Sequence, residues 1–314
     1  MERENVIQVR DLRKEYKELT ALDGISFDVK KGEILGLLGP NGSGKSTTIN
    51  CLLSLISFSG GDIKILGKEM TPDAYDIKRE IGVVFQDVAV FNELNVEENI
   101  EYFCGLYIND KQQRKQMVED VIRLTGLADH RKFRPKKLSG GLLRRLNIAC
   151  GIAHRPEIIF LDEPTVAVDP QSRNSILDGI VKLNDEGATI IYTSHYMEEV
   201  EQICDRIIIL DKGRIIASGT KEELKDLVDI GEKISVEGIK ADEEQIKRIG
   251  EAMDAAAVSY EGKVLHVRCR KGGQSLRGLV LFLEKEQMPY SRIYSELPTL
   301  NDVFLELTGK ELRD

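Results

Sequence analysis

Apolar and polar residues alternate over residues 6–9 and 25–29, the pattern of antiparallel strands near a sheet edge with one face buried. Residues 34–38 and 158–161 are apolar throughout and read as strands. Further strands are expected over 63–66, 81–85, 189–193, 206–210 and 214–217. The first two read as a pair opened by Gly60-Gly61-Asp62, and the last two are joined by the turn Asp211-Lys212-Gly213. Helical spacing replaces alternation over 47–55 and again beyond Asn92, where Asn95 and Glu98 form a capping box for a helix over 96–107. A charged amphipathic helix follows over 111–125, and the basic stretch 131–137 reads as a solvated loop. Leu142, Leu146, Ala149 and Ala153 recur at helical spacing up to about His154, and Pro156 marks that helix's end. Asp169-Pro170 is an N-cap with proline at the first helical position, opening a helix to about Glu186; residues 221–228 form one more.

From residue 234 the rhythm changes: strand 234–236, helix 242–253, a hairpin of 257–260 with 264–269, helix 275–286 and strand 290–294. That is the split βαβ order, and an amphipathic helix over 300–307 follows it. Two domains are therefore expected in the 314 residues: 1–229, with a helical subdomain at about 87–155, and a small α+β domain over 230–314.

Composition changes this picture little. With 41% hydrophobic and 31% charged residues the chain is an ordinary globular protein. Its net charge of -9 argues against non-specific nucleic-acid binding, so no nucleic acid is expected as a partner. Five scattered cysteines without metal-type spacing fit a reducing compartment. The charged opening Met1-Glu2-Arg3-Glu4-Asn5 does not read as a signal peptide, and no apolar run approaches the ~18 residues of a membrane span.

Candidate chemistry begins after the strand at 34–38, with Gly39-Pro40-Asn41-Gly42-Ser43-Gly44-Lys45-Ser46-Thr47. Glycines at 39, 42 and 44 let the backbone turn tightly and aim N–H groups at a phosphate, and the following helix adds its own unpaired N–H groups. Lys45 supplies a charge for the β- and γ-phosphates and Ser46 a hydroxyl for Mg²⁺. Every fixed position of the phosphate-loop pattern is filled, so the chain binds a nucleoside triphosphate. Gly39, Gln86, Asp162-Glu163 and His195 each lie just beyond a strand, and parallel strands would set all four on one sheet edge. There Asp162 suits Mg²⁺, Glu163 a water attacking the γ-phosphate, and His195 the phosphate or that water. Gln86 can reach the metal or water through its amide. Ser139-Gly140-Gly141 at a helix start is a second anion-binding end, a surplus that points to one subunit completing the pocket of another. Tyr16 is expected on a loop, either to stack on a nucleobase or to half-bury on its strand; the spacing leaves both open.

Taken together, Tyr16, GPNGSGKST at 39–47, Gln86, LSGGL at 138–142, IIFLDEPT at 158–165, Asp169 and His195 resemble the nucleotide-binding subunit of ABC transporters over roughly residues 4–225. The resemblance implies an α/β P-loop NTPase fold with a mixed sheet, an antiparallel β edge and a helical subdomain. It also implies two ATP molecules, with Mg²⁺, sandwiched head to tail between this chain and a second copy or a homologous ATPase subunit. Tyr16 would then stack on adenine, Lys45 and Ser46 hold phosphate and Mg²⁺, and Gln86 sense an integral membrane permease. Ser139 and Gly141 would reach the other subunit's γ-phosphate, with Glu163 as catalytic base and His195 as its switch partner. The family's usual glutamine at the fifth signature position is Leu142 here, and 166–168 read Val-Ala-Val rather than the common small residues. The tail from Leu297 to Gly309 resembles ATPase subunits of ABC-2-type exporters of the daunorubicin-resistance and sodium-extrusion kinds. Export of a drug, antibiotic or lipid from the cytoplasmic face of the membrane is the implied function. Two other readings are a soluble ABC-type ATPase acting on ribosomes or DNA, and an importer subunit. The first usually has paired nucleotide domains or a coiled-coil insertion, and the second a β-rich C-terminal extension.

Overall fold

Continuous apolar strands need cover on both faces, and the chain supplies it. A computed structural model describes residues 4–17, 19–273 and 275–309. β1 (Asn5–Tyr16) and β2 (Leu19–Lys30) form a long antiparallel hairpin. β3 (Ile34–Leu38) and α1 (Lys45–Leu52) follow, then β4 (Gly60–Ile65), β5 (Lys68–Glu69), α2 (Tyr75–Lys78) and β6 (Ile81–Val84). α3 (Val96–Gly105), α4 (Lys111–Leu124) and α5 (Gly140–Ile152) lead to β7 (Ile158–Asp162), α6 (Pro170–Asp185) and β8 (Thr189–Ser194). α7 (Met197–Ile203), β9 (Arg206–Asp211) and β10 (Arg214–Gly219) complete this part.

These strands make two sheets. β10-β9-β3-β8-β7-β6 is mixed: β9, β3, β8, β7 and β6 run parallel, and β10 runs antiparallel to β9. Every residue of β3, β7 and β8 is buried, as a doubly covered parallel sheet requires. β2-β1-β4-β5 is a second, antiparallel sheet. The expected antiparallel edge is thus a separate layer, because β1 and β2 are 12 residues each and pair with each other and with β4 rather than with the parallel strands. The strands expected as a pair at 63–66 and 81–85 fall in different sheets: Ile63 pairs with Val9, and Ile81 with Ile158. Their burial gives the reason. β4 alternates, with Ile63 and Ile65 buried and Asp62 and Lys64 exposed, whereas Ile81, Gly82 and Val84 are buried consecutively or nearly so. Val6, Val9, Leu22 and Ile25 of one sheet share a core with Ile49 and Leu52 of α1 and with Leu35, Phe160 and Ile208 of the other.

The helical region forms as its capping residues direct. Asn95 accepts the Glu98 N–H at 3.0 Å while the Glu98 carboxylate accepts the Asn95 N–H at 2.8 Å. The basic stretch after α4 is not simply solvated, since Arg131 bridges Glu119 at 2.8 Å and Lys132 bridges Glu97 at 2.6 Å. His154, at the end of α5, stacks on Tyr107 with centroids 3.8 Å apart and places Nε2 3.2 Å from the Ile81 carbonyl. Burial pushes its pKa down to about 4. The unfolded chain, with an ordinary histidine near 6.5, therefore takes up this proton first as the pH falls. Stability is lost between pH 6.5 and 4, by up to ~3 kcal/mol at the lower end. His154→Phe keeps a ring against Tyr107 and should flatten urea stability across that window; an unchanged pH slope would exclude His154 as the cause.

The chain divides between Thr220 and Lys221, rather than at 229/230. The second unit contains α8 (Lys221–Asp226), β11 (Lys233–Glu237), α9 (Glu243–Met253), β12 (Ala255–Glu261) and β13 (Val264–Cys269). α10 (Leu276–Lys285), β14 (Arg292–Glu296) and α11 (Leu300–Thr308) complete it. Its sheet is wholly antiparallel, in the order β12-β13-β11-β14. Ile234, Val236, Leu265 and Val267 pack with Ile249 and Met253 of α9 and with Leu279 and Leu283 of α10, so both helices cover one face. Lys233 on β11 bridges Asp302 on α11 at 2.9 Å, and Asp302 also caps Thr299.

Candidate nucleotide site

Parallel strands end together, and their ends bring the candidate residues to one edge. Leu38 is in register with Ser194, Asp162 with Thr193, and Val84 with Leu161. Gly39, Asp162-Glu163 and His195 therefore emerge side by side, with Gln86 two residues beyond β6.

The loop after β3 wraps around the start of α1. Gly42 and Gly44 have φ of 80° and 109°, which only glycine adopts cheaply. A β-carbon on Gly39 would lie 2.3 Å from the Leu210 carbonyl, so the loop is held against the end of β9. The Ser43 Oγ is buried and has no hydrogen-bond partner among the described residues. A buried hydroxyl left unpaired is costly, and a phosphate oxygen is the acceptor such a loop is shaped to meet. Lys45 folds back over the loop, donating to the Gly39 carbonyl at 2.7 Å and to the Pro40 carbonyl at 3.2 Å. Its Nζ is also 3.4 Å from Glu163 Oε1. Burial pushes the Lys45 pKa down, and the Glu163 carboxylate works against that. The ammonium is thus poorly solvated and available to an anion.

Asp162 and Glu163 are both buried at 6% exposure, yet neighbouring polar groups account for both. Asp162 accepts from Thr193 Oγ1 at 2.6 Å and from Ser46 Oγ at 3.2 Å. Glu163 has a φ of 47°, a left-handed backbone that is uncommon for a residue with a side chain. Its N–H donates to Thr193 Oγ1 at 2.9 Å, and its Oε1 lies 3.4 Å from His195 Nδ1 as well as from Lys45. Among the described residues that Nδ1 has no hydrogen-bond partner of its own. Lysine, carboxylate and imidazole thus meet at one oxygen.

The other candidates are placed differently. Tyr16 is the last residue of β1 rather than a loop residue, and is 44% exposed. The Lys14 ammonium sits 4.5 Å from its ring centroid and donates to the Ser57 carbonyl at 2.6 Å, propping the ring. Gln86 is exposed; its carbonyl accepts from Arg144, and among the described residues no hydrogen bond joins its side chain to Asp162 or Ser46. Ser139 caps α5 by accepting the Leu142 N–H at 3.3 Å, and Ser139 and Gly140 are exposed. A β-carbon on Gly141 would lie 2.3 Å from Ser172 Oγ, so this glycine also lets α5 pack on the start of α6. Within this chain, no hydrogen bond among the described residues joins Ser139–Gly141 to the phosphate loop. Asp169 caps α6 through the Ser172 N–H at 2.9 Å.

Three residues outside the sequence candidates hold the site together. Thr193 ties Asp162 to the Glu163 backbone. Arg144 donates to the carbonyls of Phe85, Gln86 and Glu163. Glu199 is buried in α7, a helix missed in the sequence although Met197, Val200 and Cys204 are regularly spaced. Its Oε2 accepts from Thr165, Tyr192 and Ser194 at 2.8, 2.7 and 2.9 Å, fixing the strand end before His195. Burial, with Glu199 alongside, pushes the Tyr192 pKa well up, so its hydroxyl stays a donor. A charged residue on the buried side of a helix was the readable signal for Arg144 and Glu199. A cavity of about 830 Å³, lined by Asp120, Arg155, Glu157 and Lys182 among others, lies by the starts of β7 and β8, away from this edge.

A glycine loop around a helix start, a buried lysine and an aspartate–glutamate pair at the end of β7, one strand removed from β3, define a nucleotide-hydrolysing P-loop protein. The ABC transporter family model matches residues 22–166. The linearmycin resistance ATP-binding protein LnrL of Bacillus subtilis (strain 168) is 37% identical over 312 residues, covering 98% of this chain and all of that protein. The daunorubicin resistance ATP-binding protein DrrA3 of Streptomyces coeruleorubidus is 32% identical, covering 99% and 98%. Among solved structures, the ATP-binding cassette MJ0796 bound to ADP and Pi, in a dimeric post-hydrolysis state, superposes with a TM-score of 0.62 at 27% identity, over 68% of this chain and 98% of that one. The cbiO1 subunit from Clostridium perfringens, part of the cbiONQ complex, gives 0.67 at 25% identity over 81% and 97%. The chain belongs to the ABC transporter family, as an ATP-binding, ATP-hydrolysing subunit.

Proposed function

We propose that this chain powers export of a drug-, antibiotic- or lipid-like compound through a separate membrane permease, hydrolysing ATP in sites shared between two subunits. The observation that carries the shared site is the exposed Ser139–Gly140 end of α5, unconnected to its own phosphate loop. A second copy or a homologous subunit would present that end to the γ-phosphate lying on Gly39–Thr47. The linearmycin and daunorubicin resistance relatives support the cargo class. They also disfavour the ribosomal and importer readings.

In this reading the N–H groups of 39–47 and Lys45 hold the phosphates, and Tyr16, with Lys14 behind it, stacks on adenine. Mg²⁺ suits the oxygen donors Ser46 and Asp162, joined by the Gln86 amide, and would neutralise charge on the β- and γ-phosphates. Glu163 takes the proton of the attacking water, and His195 keeps that carboxylate and the γ-phosphate in line.

No helix among the described residues is long and apolar enough to cross a membrane, so the permease would be another chain. Its docking surface is proposed at the exposed Phe85, Val88, Phe91, Tyr102 and Leu106 beside Gln86. Phe91 and Tyr102 meet edge to face at 4.8 Å. The second unit is proposed as an accessory domain. In liposomes containing the permease, wild-type chain should drive ATP-dependent efflux and Glu163→Gln none; efflux that persists with Glu163→Gln would refute the coupling. Phe91→Glu should lower permease-stimulated hydrolysis about thirtyfold, the size of one interface hot spot of about 2 kcal/mol, without changing ATP affinity of the isolated subunit. Undiminished stimulation would move the docking site elsewhere.

A further inference from the structure

Arg144 is 5% exposed, on the buried side of α5 and five residues beyond Ser139. Among the described residues its guanidinium pairs with no carboxylate. Nη1 donates to the carbonyls of Phe85 at 3.2 Å and Gln86 at 2.7 Å, and Nη2 to the carbonyl of Glu163 at 3.3 Å. Burial pushes its pKa down, so the fold bears a cost for keeping a cation there that a packed methionine would avoid. The three carbonyls are not a random set. Two belong to the loop proposed to face the permease, and the third to the residue proposed as general base.

Glu163 needs outside support. A left-handed φ of 47° persists only where the surroundings impose it. Its N–H is held by Thr193, through Oγ1 at 2.9 Å and the carbonyl at 3.2 Å, and its carbonyl accepts from Arg144 at 3.3 Å and from the Val166 N–H at 3.4 Å. Among the described residues Arg144 is thus the one side chain on the carbonyl side. Asn147, further along α5, grips the same loop: its Oδ1 accepts the Ala89 N–H at 2.9 Å and its Nδ2 donates to the Phe85 carbonyl at 3.3 Å. Helix α5 is therefore fastened to the Gln86 loop by two residues and to Glu163 by one.

We infer that Arg144 is a positioning residue that holds the Glu163 carboxylate in its working place and makes that placement depend on the Gln86 loop and the Ser139 helix. Movement of either would shift the guanidinium and leave the Glu163 carbonyl with only the longer Val166 N–H bond. Hydrolysis would then proceed only with loop, helix and base in register. This rests on Glu163 as the base, and the test separates the two ideas.

Arg144→Lys keeps the charge but lacks the planar fork that spans two strand ends. In the full-length chain it should melt close to wild type and bind ATP within about twofold of it. Single-turnover hydrolysis should fall tenfold or more, so that kcat drops while KM holds. Added to Glu163→Gln, it should cause no further loss, because both act through one group. If Glu163→Gln alone leaves hydrolysis intact, the base assignment fails. If Glu163→Gln is inactive but Arg144→Lys turns over normally, or if the two losses add, the inference fails by itself. Should the lysine variant not fold, Arg144→Met takes the same measurements. If neither folds, Arg144 is a structural residue and the inference is overturned.

Discussion

Glu163→Gln should leave ATP affinity within a few-fold of wild type while hydrolysis falls at least about a hundredfold, the scale of a lost general base. The substitution is nearly isosteric and keeps the Glu163 backbone, whose N–H and carbonyl bonds to Thr193 and Arg144 do not involve the side chain. What it removes is the basicity of the carboxylate that Lys45 and His195 both approach at 3.4 Å. An amide cannot take a proton from water, so the attacking nucleophile stays weak. It also removes a negative charge from beside the γ-phosphate position, which if anything favours the ATP-bound state. ATP-bound dimers should therefore accumulate, visible as a shift to twice the mass in size-exclusion chromatography with ATP. Pi release in a single turnover is the direct measurement. Turnover near the wild-type rate would remove Glu163 as the base and leave its buried carboxylate as a counter-ion to Lys45.

Why the carboxylate is buried at all bears on how much of this site could be read beforehand. The strand ends were legible because their signals are local: an apolar run, then a polar residue that folding does not require. Gly39, Asp162, Glu163 and His195 all gave that signal, and all lie on one edge. The pairing of strands was less legible, since alternation shows which face of β4 is buried but not that its partner is Val9 on β1 rather than a neighbour of Ile81. Residues that hold others in place were the hardest. Thr193 sits inside a buried strand, where a threonine is unremarkable, and only the register with Asp162 reveals that its hydroxyl serves two residues. Gly141 is a different case. Its place in the signature invites a reading toward another subunit's phosphate, yet its own packing on Ser172 already excludes a side chain. A Gly141 variant would disturb both, so Ser139, which is exposed and makes only a cap, is the cleaner probe of the shared site.

Lys45→Ala should weaken ATP binding about 10- to 150-fold, the loss of one charge-assisted contact of ~1.5–3 kcal/mol. The lysine contributes more than reach. Burial already pushes its pKa down, so little hydration is left to give up when phosphate arrives. Its hydrogen-bond partners, the Gly39 and Pro40 carbonyls at 2.7 and 3.2 Å, are neutral, and the charged Glu163 Oε1 stands off at 3.4 Å, so a phosphate oxygen offers it a stronger contact. The loop itself should survive the change, because Gly42 and Gly44 set its backbone and Thr48 anchors α1 by donating its hydroxyl proton to the Gly44 carbonyl at 2.8 Å. The loss should be specific to the phosphates. In the proposed site ATP and ADP would reach Lys45 and should both weaken, while AMP, which would be held by adenine stacking on Tyr16, should bind as before. Tyr16→Ala makes the opposite pattern, weakening all three alike. Titration of the three nucleotides against both variants by calorimetry separates the two ends of the site. Unchanged ATP affinity in Lys45→Ala, or an equal loss for AMP, would mean that the buried ammonium holds the loop and not the nucleotide.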